Sequence, residues 1–285
     1  MVHQPVHQRV SKRISNALRD PPHPNSKKDQ RQDLLADLIQ LHKTKPEFTE
    51  AYLRRLAVTN FGAGHETMCS ALTAVVTMIG SHPLVQRRVA DEVRGTPAAF
   101  VLENAIGLRY TQASIKEAQR LYPVIGMSPS RKVPAGGLSL HGQLFPAGTS
   151  VGCHPAALHR NPEVFGVDAD DYNPDRWLKK DLVKVRVMER VNLTWGGGSR
   201  SCPGRHLAEL VVSKVVPALL SEFDVEITAL PEETEMPCYF MAMLTGIKAR
   251  FMPVRGKSVP REALSPAEGT KLAREEPHPV GSFQF

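Results

Sequence analysis

The segment 195–204, Trp-Gly-Gly-Gly-Ser-Arg-Ser-Cys-Pro-Gly, sets one thiol between a glycine run and a proline that introduces an apolar stretch. Proline suits the first position of a helix, where its missing N–H is not needed. A helix over 203–223 is therefore expected, with Cys202 at its N-terminal end. The partial positive charge of that end favours a thiolate, and Arg200 and Arg205 add to it. Gly196, Gly198 and Gly204 carry no side chain, so backbone can approach something flat and bulky. A thiolate with an open face beside it is a metal or haem ligand, or a nucleophile. Blander readings compete. A lone cysteine is most often a small buried hydrophobe. A phosphate cradle would show GxxxxGK[ST], which is absent. A cysteine nucleophile needs a placed histidine, and the 11 histidines are scattered.

Two further constellations carry chemistry. Glu117 and Arg120 lie three apart and so share a helix face. The ordinary fate of that spacing is a surface ion pair. Ala63-Gly64-His65-Glu66-Thr67 interrupts a long apolar run. Glycine there costs helix stability, and a glutamate in apolar surroundings needs a partner. Thr67 alone would be a helix threonine bonded to its own backbone; the acid beside it argues against that.

These groups must be positioned by helices. Val6 to Leu18 has the character of a helix tail, DPPHPNSKKDQ (20–30) of a loop, and Leu34, Leu35, Leu38, Ile39 and Leu41 recur at helical spacing. Thr49 is the N-cap of a helix over about 50–81, roughly 45 Å long at ~1.5 Å per residue and apolar enough to run buried through the core. Shorter helices are expected at 83–94 and 110–121, strands and turns over 124–154, and one helical turn near 155–161. The stretch 162–201 is expected to be mainly an irregular ordered loop, and 225–252, which alternates weakly, a short hairpin. The divisions follow: 1–31 a basic, partly disordered segment, 32–255 the folded domain, and 256–285 a polar flexible tail.

Composition narrows the classes. The chain has 285 residues, 41% of them hydrophobic, and a net charge of +7, with a pI near 9.3. That balance suits an anionic surface or an acidic protein partner. No basic stripe is interleaved with aromatics, so nucleic acid is not an expected partner. The 4 cysteines form no CxxC pair, which argues against a disulfide framework or a zinc site. No signal peptide and no run of about 20 apolar residues is present, so no transmembrane segment is expected in this chain.

The sequence Trp195-Gly196-x-Gly198-x-Arg200-x-Cys202-x-Gly204 resembles the haem-binding loop of cytochromes P450, FxxGxRxCxG, with Trp195 for Phe. Glu117-Ala-Gln-Arg120 resembles the family's ExxR motif, and Asn173-Pro-Asp-Arg176-Trp177 the later loop whose arginine joins that pair. Ala63-Gly64-His65-Glu66-Thr67 resembles the oxygen-binding groove AGx[DE]T. The motifs come in family order. SRKVPAGG with the later NPDRW looks most like the fungal pisatin-demethylase-like group.

The resemblance implies a mainly α fold with small β-sheets: the C-terminal part of the P450 fold, with long central helix, ExxR helix, cysteine-ligand loop and following helix. It implies haem b with Cys202 as axial thiolate, Ala63 and Gly64 making room for oxygen, Glu66 and Thr67 delivering protons, and Arg131 and Arg200 on the propionates. Glu117, Arg120 and Arg176 would form a buried structural network. The implied reaction is monooxygenation of a small lipophilic organic substrate, with electrons from NADPH through a cytochrome P450 reductase. The basic stretch Arg176, Lys179, Lys180, Lys184, Arg186 and Arg190 is a candidate reductase contact. Phe61, 124–128 and 240–243 are candidate pocket residues. The resemblance starts near the end of a helix before DPPHPN, so the family's N-terminal portion, with its membrane anchor, is expected to be absent. The expected location is cytoplasmic or peripheral at the endoplasmic reticulum surface. Two alternatives stay open: a non-catalytic P450 fragment with weak or no haem binding, and a haem-thiolate enzyme that rearranges its substrate without external electrons.

Overall fold

A computed structural model describes residues 3–19, 33–230 and 240–254. The expected loop at 20–30, Cys238 and the tail at 256–285 lie outside the described residues. Helices α1 (His3–Arg19), α2 (Leu34–Thr44) and α3 (Glu50–Gly80) come first, then α4 (Pro83–Gly95), α5 (Leu102–Ala105) and α6 (Arg109–Leu121). Short strands β1 (Arg131–Lys132), β2 (Leu138–Leu140), β3 (Gln143–Phe145) and β4 (Ser150–Val151) follow. Next are α7 (Pro155–Leu158), α8 (Pro162–Phe165), a 3-10 turn (Pro174–Leu178), α9 (Leu182–Val191), a 3-10 turn (Gly198–Arg200) and α10 (Arg205–Glu222). Strands β5 (Phe223–Ala229) and β6 (Lys248–Pro253) close the described chain.

Side-chain caps start α2 and α3, the latter at the Thr49 that the sequence singles out. Thr49 Oγ1 accepts from Tyr52 N at α3, and Asp33 Oδ1 from Ala36 N at α2. Asp33 also pairs with Arg13 of α1 at 2.7 Å, and that guanidinium holds its carboxyl below the ordinary value. Ile14, Leu38, Ile39, Phe48, Leu53 and Ala57 then pack as one cluster from α1, the α2–α3 region and α3. Residues 3–19 thus belong to the same packed body as the helices after residue 32.

A second, larger core gathers Val75, Met78 and Ile79 of α3, Val89 and Val93 of α4, Ile115 and Leu121 of α6, Val212, Val216 and Leu220 of α10, and Val225 of β5. Gly80 closes this contact: a Cβ there would lie 3.1 Å from Val225 and Ile227, so the missing side chain lets β5 approach.

Helix α3 is the shared wall of both clusters, and this corrects the expectation that it runs buried throughout. Its buried residues are Leu53 and Ala57, then Ser70 onward. Neither cluster reaches the middle, where Ala63, Gly64 and His65 are exposed.

Three other expectations are revised. The stretch 162–201 is not mainly irregular, because it contains α9. Asp181 caps that helix by accepting from Val183 N and Lys184 N, and Val185, Met188 and Val191 pack on Phe165 and Trp177. Its β-branched valines weaken the helical signal in the sequence. Helix α10 begins at Arg205 behind Gly204, so Pro203 stands outside it. β5 and β6 pair antiparallel, Phe223 opposite Pro253, but 230–247 separates them, so they are not a tight hairpin.

The two-cluster architecture makes Ile79 a test position. Ile79→Ala is expected to cost about 2–5 kcal/mol of unfolding free energy, the range for a buried truncation. Phe61→Ala, on the exposed stretch of α3, is expected to cost under about 1 kcal/mol. Denaturant titration of both variants checks the contrast.

Candidate functional site

The centre of the site is a buried ion network. Helix α6 is amphipathic, and its inward face carries Glu117 and Arg120, both 0% exposed. Arg120 Nε and Nη2 donate to the Glu117 oxygens at 2.8 Å each. Arg176, also fully buried, donates from Nε at 2.6 Å. Trp177 Nε1 and Asn173 N complete the set at 2.9 and 3.1 Å. One carboxylate therefore accepts from two guanidinium groups, an indole and a backbone amide.

The spare guanidinium protons are also taken up. Arg120 reaches the carbonyls of His159 and Ala169 at 2.5 and 2.6 Å, and Arg176 those of Phe165 and Asp168 at 2.5 and 2.7 Å. Asp168, held below the ordinary carboxylate range by the Asn173 amide and then by Arg176, supplies further negative charge. Glu117, Arg120 and Arg176 thus form one buried network. The same burial corrects a second expectation: Arg176 cannot belong to an exposed basic docking face.

His159, which the sequence reading did not single out, continues the network. It is fully buried. Its Nδ1 lies 2.9 Å from the Arg120 carbonyl, and its Nε2 lies 2.7 Å from Leu193 N. A backbone N–H can only donate, so Nε2 accepts and Nδ1 carries the proton toward Arg120 O. Burial pushes the ring's pKa down to about 4. Nothing in the spacing around a single histidine signalled this role; only the return of 159 onto α6 does.

Leu193 opens the Cys202 loop. Gly196 N donates to Leu193 O at 2.9 Å, and Cys202 N to Trp195 O at 2.8 Å. Gly196 and Gly198 have φ of +70° and +64°, the left-handed region where a Cβ is strained. The Cys202 carbonyl accepts from Arg205 N at 3.3 Å, so both backbone groups of the cysteine are engaged while its side chain is exposed. A Gly204 Cβ would stand 3.9 Å from Cys202 Sγ. Arg200 is exposed on the adjoining 3-10 turn. A cleft of about 660 Å³ borders Trp195 and Gly196, walled by Ile115, Gln119, Arg205 and Val212.

The α3 turn lies on a different element from this loop. Both lie N-terminal to the contact that joins α3 to α10. Thr67 Oγ1 donates to Ala63 O at 2.5 Å, so the hydroxyl is back-bonded, contrary to the expectation drawn from Glu66 beside it. The candidate pocket strands do meet. Ile125 pairs with Met241, Ala242 N donates to Val124 O at 2.8 Å, and Ser70 Oγ of α3 reaches Ala242 O at 2.7 Å. Phe61 stacks on His65. Arg131 is exposed on β1 and donates to the Pro129 and Ser130 carbonyls at 3.2 and 3.0 Å.

The chemistry of this donor set fits a haem. Among the described residues no three His, Cys, Asp or Glu side chains converge on a metal position. A single thiolate suits an iron that brings its own equatorial ligands, as a macrocycle does. The side-chain-free collar of Gly196, Gly198 and Gly204 admits a flat face. Exposed guanidinium groups at Arg200 and Arg131 suit carboxylate substituents.

Two outcomes are expected. Glu117→Gln leaves two buried guanidinium groups facing a neutral amide and should cost about 3–5 kcal/mol in denaturant titration. His159 is neutral when folded with its pKa near 4, against 6.5 unfolded, so its contribution is complete above pH 6.5 and is lost as pH falls toward 4. That loss amounts to about 3 kcal/mol. Titrations at the two pH values check it, and His159→Gln should lack this part of the slope.

The cytochrome P450 family model matches residues 2–250. Cytochrome P450 monooxygenase sdnT of Sordaria araneosa is 56% identical over 88% of this chain and 50% of its own length. A cytochrome P450 monooxygenase of Aspergillus terreus is 37% identical over 68% of the chain and 40% of its own length. A pisatin demethylase of Fusarium vanettenii is 35% identical over 68% of the chain and 38% of its own length. The chain thus spans half or less of the length of these curated relatives. With its buried Glu-Arg-Arg network, its cysteine loop and a family match over most of its length, the chain belongs to the cytochrome P450 family.

Proposed function

We propose that this chain carries the haem-ligand half of a haem-thiolate monooxygenase, which inserts one oxygen atom of O2 into a small lipophilic organic molecule. The observation that carries the reading is the exposed Cys202 side chain on a loop whose backbone is clamped on both sides of it. When bound, the haem supplies oxygen activation, and a thiolate ligand favours O–O cleavage.

The remaining work falls to this chain's own residues. Cys202 Sγ ligates the iron. Arg200 and Arg131 pair with the propionates, Arg131 after exchanging its two carbonyl partners for a carboxylate. Trp195, Gly196, Gly198 and Gly204 leave a flat face open beside the sulfur. Ala63 and Gly64 keep the middle of α3 free of bulk. Thr67 Oγ1 donates its hydrogen to Ala63 O, which leaves its lone pairs to accept a hydrogen bond, and Glu66 beside it is the group that relays protons. Phe61, Met127, Phe240 and Met243 offer exposed apolar surface for the substrate.

Two electrons come from NADPH through a reductase. The outward face of α9 fits that partner. Lys184, Arg186 and Arg190 are exposed there, with Lys179 and Lys180 just before the helix and Leu182, Val183 and Val187 between them. A basic rim with exposed aliphatics complements an acidic docking surface. Among the described residues no single helix is long and apolar enough to cross a membrane. We place the chain in the cytoplasm or peripherally at the endoplasmic reticulum surface.

The test is the reduced, carbon-monoxide-bound absorption spectrum of the purified, haem-reconstituted chain. The expected result is a thiolate-type Soret shift that Cys202→Ser abolishes. No haem uptake overturns the proposal and favours a non-catalytic fold; a shift that survives the substitution overturns Cys202 as the ligand. Oxygen consumption supported by NADPH and reductase separates a monooxygenase from an enzyme that rearranges its substrate without external electrons.

A further inference from the structure

We infer that His159 is the positioning residue that fastens the Cys202 loop to the buried ion network. The inference deepens the haem-ligand reading and rests on it for its functional meaning. The loop needs an outside anchor. Its glycine run gives it more conformational freedom to lose on ordering than any other sequence would. Among the described residues its backbone bonds are otherwise local: Asn192 N to Met188 O, Gly196 N to Leu193 O, Ser201 N to Gly198 O, Cys202 N to Trp195 O and Arg205 N to Cys202 O. The bond from Leu193 N to His159 Nε2, at 2.7 Å, crosses 34 positions of sequence and ends on a fully buried side chain.

Helix α6 holds the buried His159 from both sides. Its carbonyl accepts from Arg120 Nη1 at 2.5 Å, and its Nδ1 donates to Arg120 O at 2.9 Å. Arg120 is itself bound to Glu117 by two 2.8 Å bonds. The ring edge packs on Phe165 with centroids 6.5 Å apart. A continuous path therefore runs Glu117, Arg120, His159, Leu193, then Trp195 and Cys202. One ring nitrogen faces the network and the other faces the loop. This two-sided task asks for one donor and one acceptor about an imidazole's width apart. The neutral ring supplies both in a single rigid unit, whereas each amide side chain matches one end only.

The two ends can be separated by substitution. His159→Gln sets a carbonyl oxygen near the position of Nε2 and keeps the acceptor for Leu193. His159→Asn is too short to reach Leu193 and keeps only the side facing Arg120. His159→Phe fills the volume with neither. The measurement is hydrogen–deuterium exchange by mass spectrometry on the full haem-free chain, followed by haem titration of the same proteins. The Leu193 region should exchange about tenfold faster in the Asn and Phe variants, the size expected for one lost buried bond, while Gln stays near wild type. Exchange in α6 and in β5–β6 should be unchanged in the Gln and Asn pair. Haem affinity should fall in the same order. If Asn and Phe leave 192–204 as protected as in wild type, or if Gln loosens it as much as Asn does, His159 is not the anchor. If the exchange pattern appears but the wild-type chain takes up no haem, the anchor stands and the haem-ligand reading fails by itself.

Discussion

The carboxylate of Glu117 is the constraint on which the site depends. Two guanidinium groups, an indole N–H and a backbone N–H converge on its oxygens with no water-exposed surface left on any of the three charged side chains. An isolated buried charge costs far more than a fold of this size can offset. The arrangement therefore persists only with every member present, and it defines one geometry. Its partners come from α6, from the 3-10 turn at Pro174–Leu178 and, through carbonyl oxygens, from 159–171. The network thereby fixes a long stretch of chain that carries little regular structure of its own.

Function is built outward from that fixed point. From Gly197 to Gly204 every residue of the Cys202 loop is exposed, so this part is not stabilised by burial of its own side chains. It is held by backbone bonds instead, and through His159 it is tied to the network. Helix α3 follows a similar logic by other means. Its two ends are locked into separate apolar clusters, and the segment between them, where Ala63 to Thr67 lie, is left open. Stable packing is placed away from Cys202 and from the turn of α3 that carries Ala63 to Thr67.

Much of this was legible in the residue order, and the reasons for the exceptions are physical. The i, i+3 spacing of Glu117 and Arg120 put both on one helix face, and the resemblance of the Asn-Pro-Asp-Arg run to the family's later loop supplied the third charge. The glycines around Cys202 marked a loop. Thr49 located the start of α3, and the spacing of Leu34, Leu35, Leu38, Ile39 and Leu41 located α2. Helix α9 was hidden because valines weaken the helical pattern, although Asp181 was a usable capping signal. The open middle of α3 was hidden because composition reports how apolar a helix is, not which neighbours reach it. The Thr67 back-bond is a local competition between a side chain and its own helix, and an adjacent acid does not decide it. His159 was invisible because its role is defined by residues 39 and 34 positions away.

The central claim is that the buried network determines how Cys202 is presented. It is tested most directly by comparing the reduced, carbon-monoxide-bound spectrum of haem-reconstituted Glu117→Gln protein with that of wild type, under conditions where both remain folded. The account predicts that the variant loses the thiolate-type Soret band, in whole or large part, to a form without thiolate ligation, although Cys202 is unaltered. A variant that keeps the full wild-type thiolate band would contradict it.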